Sequence, residues 1–246
     1  MATLNFITSA QGRRLAYYQT LGEGVGTVFL GGFKSDMMGT KALDLEERAK
    51  YLGRPFLRFD YSGHGQSSGD FADGAIGDWF KDAYFVIETL TQGPQILVGS
   101  SMGGWISLLL ARVMPHRLAA LVGIAAAPDF TQDGMWDQFS PEIQSQIIKT
   151  GSYAHPSDYG APYIITKRLI EDGRNHLVLR SPLYLPCPSR FFQGTADADV
   201  PVAAALRLLD HAEGPDIRLS LVKAADHRFS TPECLALIGQ TVFTLA

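Results

Sequence analysis

Gly99-Ser100-Ser101-Met102-Gly103 joins two apolar runs of opposite character. On its amino side, Gln95-Ile96-Leu97-Val98, opened by Gly93-Pro94, predicts a short, buried parallel strand. On its carboxyl side, Trp105-Ile106-Ser107-Leu108-Leu109-Leu110-Ala111 predicts a buried helix that stops near Pro115. A chain that turns this sharply from strand to helix strains its central residue, and glycines two positions to either side keep neighbouring atoms clear. The pattern G-x-S-x-G in this context holds the serine, here Ser101, up as a nucleophile. A plain β-to-α turn or an anion-binding helix N-terminus would use the same residues without chemistry. The rest of the chain has to decide between them.

Outward from this turn, the pattern alternates. Two early strands, Leu4 to Thr8 and Arg14 to Gln19, flank a hairpin turn at Ser9-Ala10-Gln11-Gly12. Strand Thr27 to Leu30, helix Lys41 to Tyr51, strand Phe56 to Phe59 and helix Ile76 to Thr91 then lead to the strand before the turn. Ala119 to Ile124 and Pro188 to Gln193 predict further strands. This alternation implies a parallel sheet with helices on both faces, an α/β fold. Between Pro128 and Pro186 lie about sixty residues, too many for a simple crossover. Two helices are expected there, Glu142 to Thr150 and Ile164 to Glu171, and the segment is rich in Pro, Tyr and Trp. An insertion at this point overhangs the carboxyl ends of the strands, where open α/β sheets bind ligands. The chain is therefore expected to be one domain, 1–246, with a cap at about 128–186.

Composition narrows the function. A chain of 246 residues with 46% hydrophobic content can bury one substantial core. The formal charge of −4 leaves no basic footprint for nucleic acid. The longest apolar stretch, Leu118 to Pro128, is about half a membrane span. The two cysteines, Cys187 and Cys234, lack metal-ligand spacing and form no disulfide framework. A reducing, cytoplasmic compartment is expected, since Met1 to Ile7 carries no basic-then-apolar export signal.

Acyl transfer by a serine needs a base to take its proton and an acid to orient that base, here in the chain order Ser, Asp, His. Asp197, in Gln193-Gly194-Thr195-Ala196-Asp197, follows a predicted strand and is the candidate acid. Asp129, just past another strand, is its rival, and Asp199 is expected to cap the helix begun near Pro201. His227 follows the last predicted strand, Ile217 to Lys223, and its position singles it out among six histidines as the base. A tetrahedral intermediate needs two backbone donors, assigned to the N–H groups of Met102 and of Phe33 in the turn Gly31-Gly32-Phe33-Lys34. His64, in a glycine-rich loop, and the aromatic residues Phe130, Trp136 and Phe139 are expected to bind substrate, with Met135 beside them.

The segments Gly39-Thr40-Lys41-Ala42-Leu43, Arg58 through Gly65, Gly93 through Trp105 and Asp226-His227-Arg228 together resemble the α/β-hydrolase superfamily. More narrowly, they resemble the mitochondrial α/β-hydrolase domain-containing protein 10 family, described as cleaving acyl glucuronides and palmitoyl-cysteine thioesters. The resemblance implies an α/β-hydrolase fold: a mostly parallel central sheet, helices on both faces and a small helical cap after the sixth strand. It implies an ester or thioester hydrolase using Ser101, Asp197 and His227, with no cofactor and no metal. The substrate would be a small acyl ester or thioester, or an acylated protein, with no nucleic acid and no membrane insertion. Two other readings stay open. A small-peptide peptidase would need a cap carboxylate for a charged amine, drawn from Glu142, Asp158, Glu171 or Asp172; a ligand-binding protein would keep the fold with little turnover.

Overall fold

The structure is a computed structural model that describes residues 3–156 and 162–245. Asp158, one of the cap carboxylates considered above, lies outside the described residues. β1 (Asn5–Thr8) and β2 (Arg14–Thr20) form the expected hairpin. There follow β3 (Gly26–Leu30), α1 (Thr40–Tyr51), β4 (Phe56–Phe59), α2 (Ile76–Leu90), β5 (Gln95–Ser100), α3 (Met102–Val113) and β6 (Leu118–Ile124). After a long connection come β10 (Ser189–Gly194), α6 (Val202–His211), β12 (Ile217–Val222) and α7 (Pro232–Thr244).

These strands form one eight-stranded sheet in the order β1-β2-β4-β3-β5-β6-β10-β12. From β4 to β12 every neighbouring pair is parallel, and β1 and β2 are the antiparallel edge. Side chains alternate across the pleat, which is why the central strands read as continuous apolar runs. Val28, Leu30, Leu97 and Leu121 pack on one face with Trp79, Val86 and Trp105 of α2 and α3. Phe29, Ile96, Val98 and Val122 pack on the other with Leu45 of α1 and Ile238 and Val242 of α7. Helices therefore cover both faces, and the loops after β3, β5, β10 and β12 emerge together at the carboxyl edge of the sheet, where this topology places its ligands.

The β6–β10 connection holds α4 (Pro141–Thr150), the two-stranded pair β7 (Ser152–His155) and β8 (Tyr163–Thr166), α5 (Lys167–Arg174), and β9 (Leu183–Tyr184), which pairs with β11 (Ala212–Glu213). The helix expected over Ile164 to Glu171 is corrected here. Ile164 and Ile165 are strand residues opposite Ala154 and Tyr153. The helix starts only at Lys167, where the Thr166 side chain accepts the Leu169 N–H as its cap. A β-branched pair followed by a good N-cap satisfies both states locally, and pairing with β7 selects the strand. Asp199 is likewise not the cap of α6, which begins after Pro201 without a side-chain cap bond.

Candidate active site

Ser101 sits between β5 and α3 with φ 53° and ψ −116°, a conformation that ordinary residues avoid. Three backbone bonds hold it there: its N–H donates to Ile124 O at 2.9 Å, and its carbonyl accepts from Gly104 at 2.9 Å and Ala127 at 3.1 Å. The flanking glycines are required by close approach. A Cβ on Gly99 would stand 2.3 Å from Gly103 O, and one on Gly103 would stand 2.1 Å from Leu30 O. The pentapeptide thus lets strand, helix and the neighbouring β3 end crowd together beneath the Ser101 hydroxyl.

His227 Nε2 lies 3.1 Å from Ser101 Oγ, and His227 Nδ1 lies 2.9 Å from Asp197 Oδ2. The carboxylate is held at both oxygens. Gln193 Nε2 also donates to Oδ2 at 2.8 Å, while the N–H groups of Asp199 and Val200 donate to Oδ1 at 2.9 and 2.8 Å. Burial pushes the Asp197 carboxyl up, but the hydrogen bonds from His227, Val200 and Gln193 and the His227 charge outweigh it and hold it below the usual carboxylate range. An ionised Asp197 accepts from Nδ1–H, so the neutral form of the imidazole presents a bare Nε2 to the serine hydroxyl. The arrangement can remove a proton from Ser101 Oγ and return it to a departing atom.

Asp129, the rival acid, is fully buried elsewhere. It accepts the N–H groups of Val178 and Leu179 at 2.7 and 3.0 Å and pairs with Arg180 at 2.6 Å, tying the β6–β10 connection to the end of β6. Asp199 lines the cavity, and its ligand atom lies within 4.8 Å of those of Asp197 and His227. That trio could approach a cation only by giving up the Asp197–His227 bond.

Gly32 packs against Ser101, since a Cβ on it would lie 3.5 Å from Ser101 Cβ. In the turn that follows, the Gly32 N–H donates to Ser35 Oγ at 3.0 Å and the Lys34 N–H to His64 Nε2 at 3.2 Å. Between them, the Phe33 N–H has no acceptor among the described residues, nor has the Met102 N–H in the first turn of α3.

A cavity of about 450 Å³ opens over Ser101 and His227. Phe29, Phe33, Phe130, Met135 and Tyr163 supply apolar wall; Lys34, Asp36, Lys41 and Arg228 supply polar rim. Lys41 Nζ donates to the Arg228 carbonyl beside His227, and burial lowers its pKa to about 8 despite Asp226. Of the expected substrate contacts, Phe130 lines this cavity. His64, Trp136 and Phe139 do not. His64 is 3% exposed behind the Phe33 turn. Trp136 is half-buried against the core with the Arg174 guanidinium 4.8 Å from its ring centre, and Phe139 is buried against Tyr153 and His155. Tyr163 and His155, both cavity residues, were missed because their place depends on the β7–β8 pairing. The described cap carboxylates do not reach the cavity either: Glu142 is exposed, Glu171 faces Lys167, and Asp172 accepts the Gly77 N–H.

Comparison with known proteins fits this architecture. The α/β hydrolase fold family matches residues 41–154. Palmitoyl-protein thioesterase ABHD10, mitochondrial, of Rattus norvegicus is 37% identical over 245 residues, covering 98% of this chain and 81% of that protein. The structure of α/β-hydrolase domain-containing protein 10 from mouse is 36% identical with a TM-score of 0.92, covering 99% of this chain and 98% of that one. A solved structure from Agrobacterium vitis S4 is 36% identical with a TM-score of 0.95, over 100% of this chain and 99% of that one. Fold and family therefore define a hydrolase. The chain belongs to the α/β-hydrolase family and, within it, to the ABHD10 group. The expectation of a cytoplasmic compartment is overturned, because the rat and mouse relatives matching 98% of this chain are mitochondrial by name. Free cysteines separate reducing from oxidising compartments and cannot tell one reducing compartment from another. Among the described residues, no helix is long and apolar enough to cross a membrane.

Proposed function

We propose that this protein is a serine hydrolase of acyl esters and thioesters, working through an acyl-enzyme on Ser101. The observation that carries this reading is the hydrogen-bonded chain Ser101–His227–Asp197 at the floor of a largely apolar cavity. Ser101 Oγ attacks the acyl carbonyl as His227 Nε2 takes its proton, and Asp197 holds the imidazolium that forms. The N–H groups of Phe33 and Met102 receive the charge that develops on the carbonyl oxygen. Collapse breaks the bond to the alcohol or thiol, which leaves with the proton from His227. Water, deprotonated by the same imidazole, then releases the carboxylic acid and restores the serine.

The chain is one hydrolase domain over 1–246, with the segment 128–186 acting as its cap. The apolar wall of Phe33, Phe130, Met135 and Tyr163 suits an acyl chain, and the thioesterase named among the relatives suggests a thioester-linked acyl group on a small molecule or a protein. Fluorophosphonate labelling with peptide mapping, followed by a panel of acyl esters, thioesters and glucuronides, tests this. Label on Ser101, lost together with turnover in Ser101→Ala and retained in Ser100→Ala, is the expected result. Turnover surviving Ser101→Ala, or label on Ser100, overturns it. Efficient cleavage of unblocked peptides with little esterase activity points to a peptidase instead.

A further inference from the structure

We infer that His64 is a positioning residue for the oxyanion-binding backbone: as a neutral, Nδ1-protonated imidazole it accepts the Lys34 N–H and fixes the turn that presents the Phe33 N–H. The inference rests on the oxyanion role given to Phe33 above.

The tautomer follows from the partners. His64 Nδ1 lies 3.1 Å from Ser62 O, a carbonyl that can only accept, so Nδ1 carries a proton. Nε2 receives the Lys34 N–H at 3.2 Å, a group that can only donate, so Nε2 is bare. An imidazolium would set N–H against N–H here. The ring is 3% exposed and packs edge-on to Tyr61, Phe71 and Trp79, with centroids at 5.6, 5.1 and 5.1 Å. Burial lowers its pKa to about 4, which keeps it neutral.

The turn needs such a partner. The Gly32 carbonyl accepts the Ser35 N–H at 3.2 Å and the Ser35 hydroxyl at 3.2 Å, so the Phe33 N–H of that same peptide faces away from the turn interior. Lys34 takes φ +55°, a position where glycine is usual and a side chain carries strain. The His64–Lys34 bond holds the strained residue from outside the turn. Since His64 does not line the cavity, it acts on catalysis through the turn it holds.

Gln can place its side-chain oxygen where Nε2 lies, whereas Asn reaches only the position of Nδ1. His64→Asn therefore loses the Lys34 bond and His64→Gln keeps it. For His64→Asn, kcat on an acyl ester is expected to fall at least ~10-fold, part of the effect of removing an oxyanion donor. Affinity for a trifluoromethyl ketone of the same acyl chain should fall in parallel, with KM within about twofold. His64→Gln should restore both. A loss of kcat with unchanged ketone affinity, or equal behaviour of the two variants, overturns the inference. In the wild-type, ¹⁵N-labelled protein, the His64 ring should show Nδ1 protonated and a through-hydrogen-bond N–N coupling from Lys34 to Nε2. A protonated Nε2 overturns the inference whether or not the variants fold. Because this coupling reads the bond itself, its presence alongside turnover in Ser101→Ala would fault the serine mechanism and leave the His64 contact standing.

Discussion

Two aspartates stand at the carboxyl ends of strands, and their surroundings give them different work. Asp197 has one oxygen on His227 and the other on two backbone N–H groups, so replacing it with Asn removes the charge and presents a donor toward Nδ1. Asp197→Asn is expected to lower kcat on the order of 10⁴-fold, by analogy with serine protease triads. Asp129→Asn leaves Arg180 without part of its carboxylate partnership and swaps an acceptor for a donor opposite the Val178 or Leu179 N–H. Urea melts should show a loss of about 1–3 kcal/mol with kcat near wild type. The reverse ranking would give the acid role to Asp129. His64 carries a pH signature of its own. Its folded pKa of about 4 lies below the ordinary 6.5, so its contribution to stability is complete above pH 6.5 and is lost as pH falls toward 4. The loss amounts to roughly 3 kcal/mol, and His64→Gln should flatten that limb when stability is followed by denaturant titration across this range.

At the scale of elements, the β3–α1 turn carries one of the two proposed backbone donors. Phe33 is both a backbone donor candidate and the hub of an edge-to-face cluster with Phe71, Trp79, Phe130 and Tyr163, which ties the turn to the β6–β10 connection. Phe33→Pro removes the N–H, and Phe33→Leu keeps it while shedding ring contacts worth about 0.5–1.5 kcal/mol each. The expected split is a fall in kcat of at least ~10²-fold for Pro against a modest kcat change and lower stability for Leu. Steady-state kinetics beside thermal melts separate the two. Equal losses of kcat would assign the role to the side chain.

For the whole molecule, the apolar wall of the cavity stands where the β6–β10 connection meets the carboxyl edge of the sheet. Phe130 and Met135 line the cavity, while Trp136 lies outside it under Arg174. Shortening the wall should therefore weaken long chains selectively. Phe130→Ala is expected to lower kcat/KM for a long-chain acyl ester or thioester about tenfold more than for an acetyl ester, the scale of one lost apolar contact surface. Trp136→Ala should leave the ratio of long to short unchanged. Chain-length profiles of the two variants check this, and a shifted profile for Trp136→Ala would place its ring in the acyl path.

Local pattern alone determined the alternation of strands and helices, the strand–turn–helix around Ser101 and the chain order of Ser101, Asp197 and His227. Each depends on residues adjacent in sequence: β-branched runs, glycines that permit close approach, and loops at strand ends. Tertiary structure decided what adjacency does not encode. Ile164 and Ile165 became strand residues because β7 offered a partner, and Asp129 turned away from His227 because Val178, Leu179 and Arg180 hold it. Phe130, Trp136 and Phe139 are near neighbours in one aromatic-rich segment, yet only the first reaches the cavity, since the π and 3-10 turns over Thr131–Met135 and Trp136–Gln138 rotate successive side chains to different surroundings. His64 reads in sequence as a polar loop residue beside the site; contacts with Ser62, Lys34 and three aromatic rings bury it and set its tautomer. A side chain's type is local, but its direction and charge state are settled by the non-local atoms packed against it.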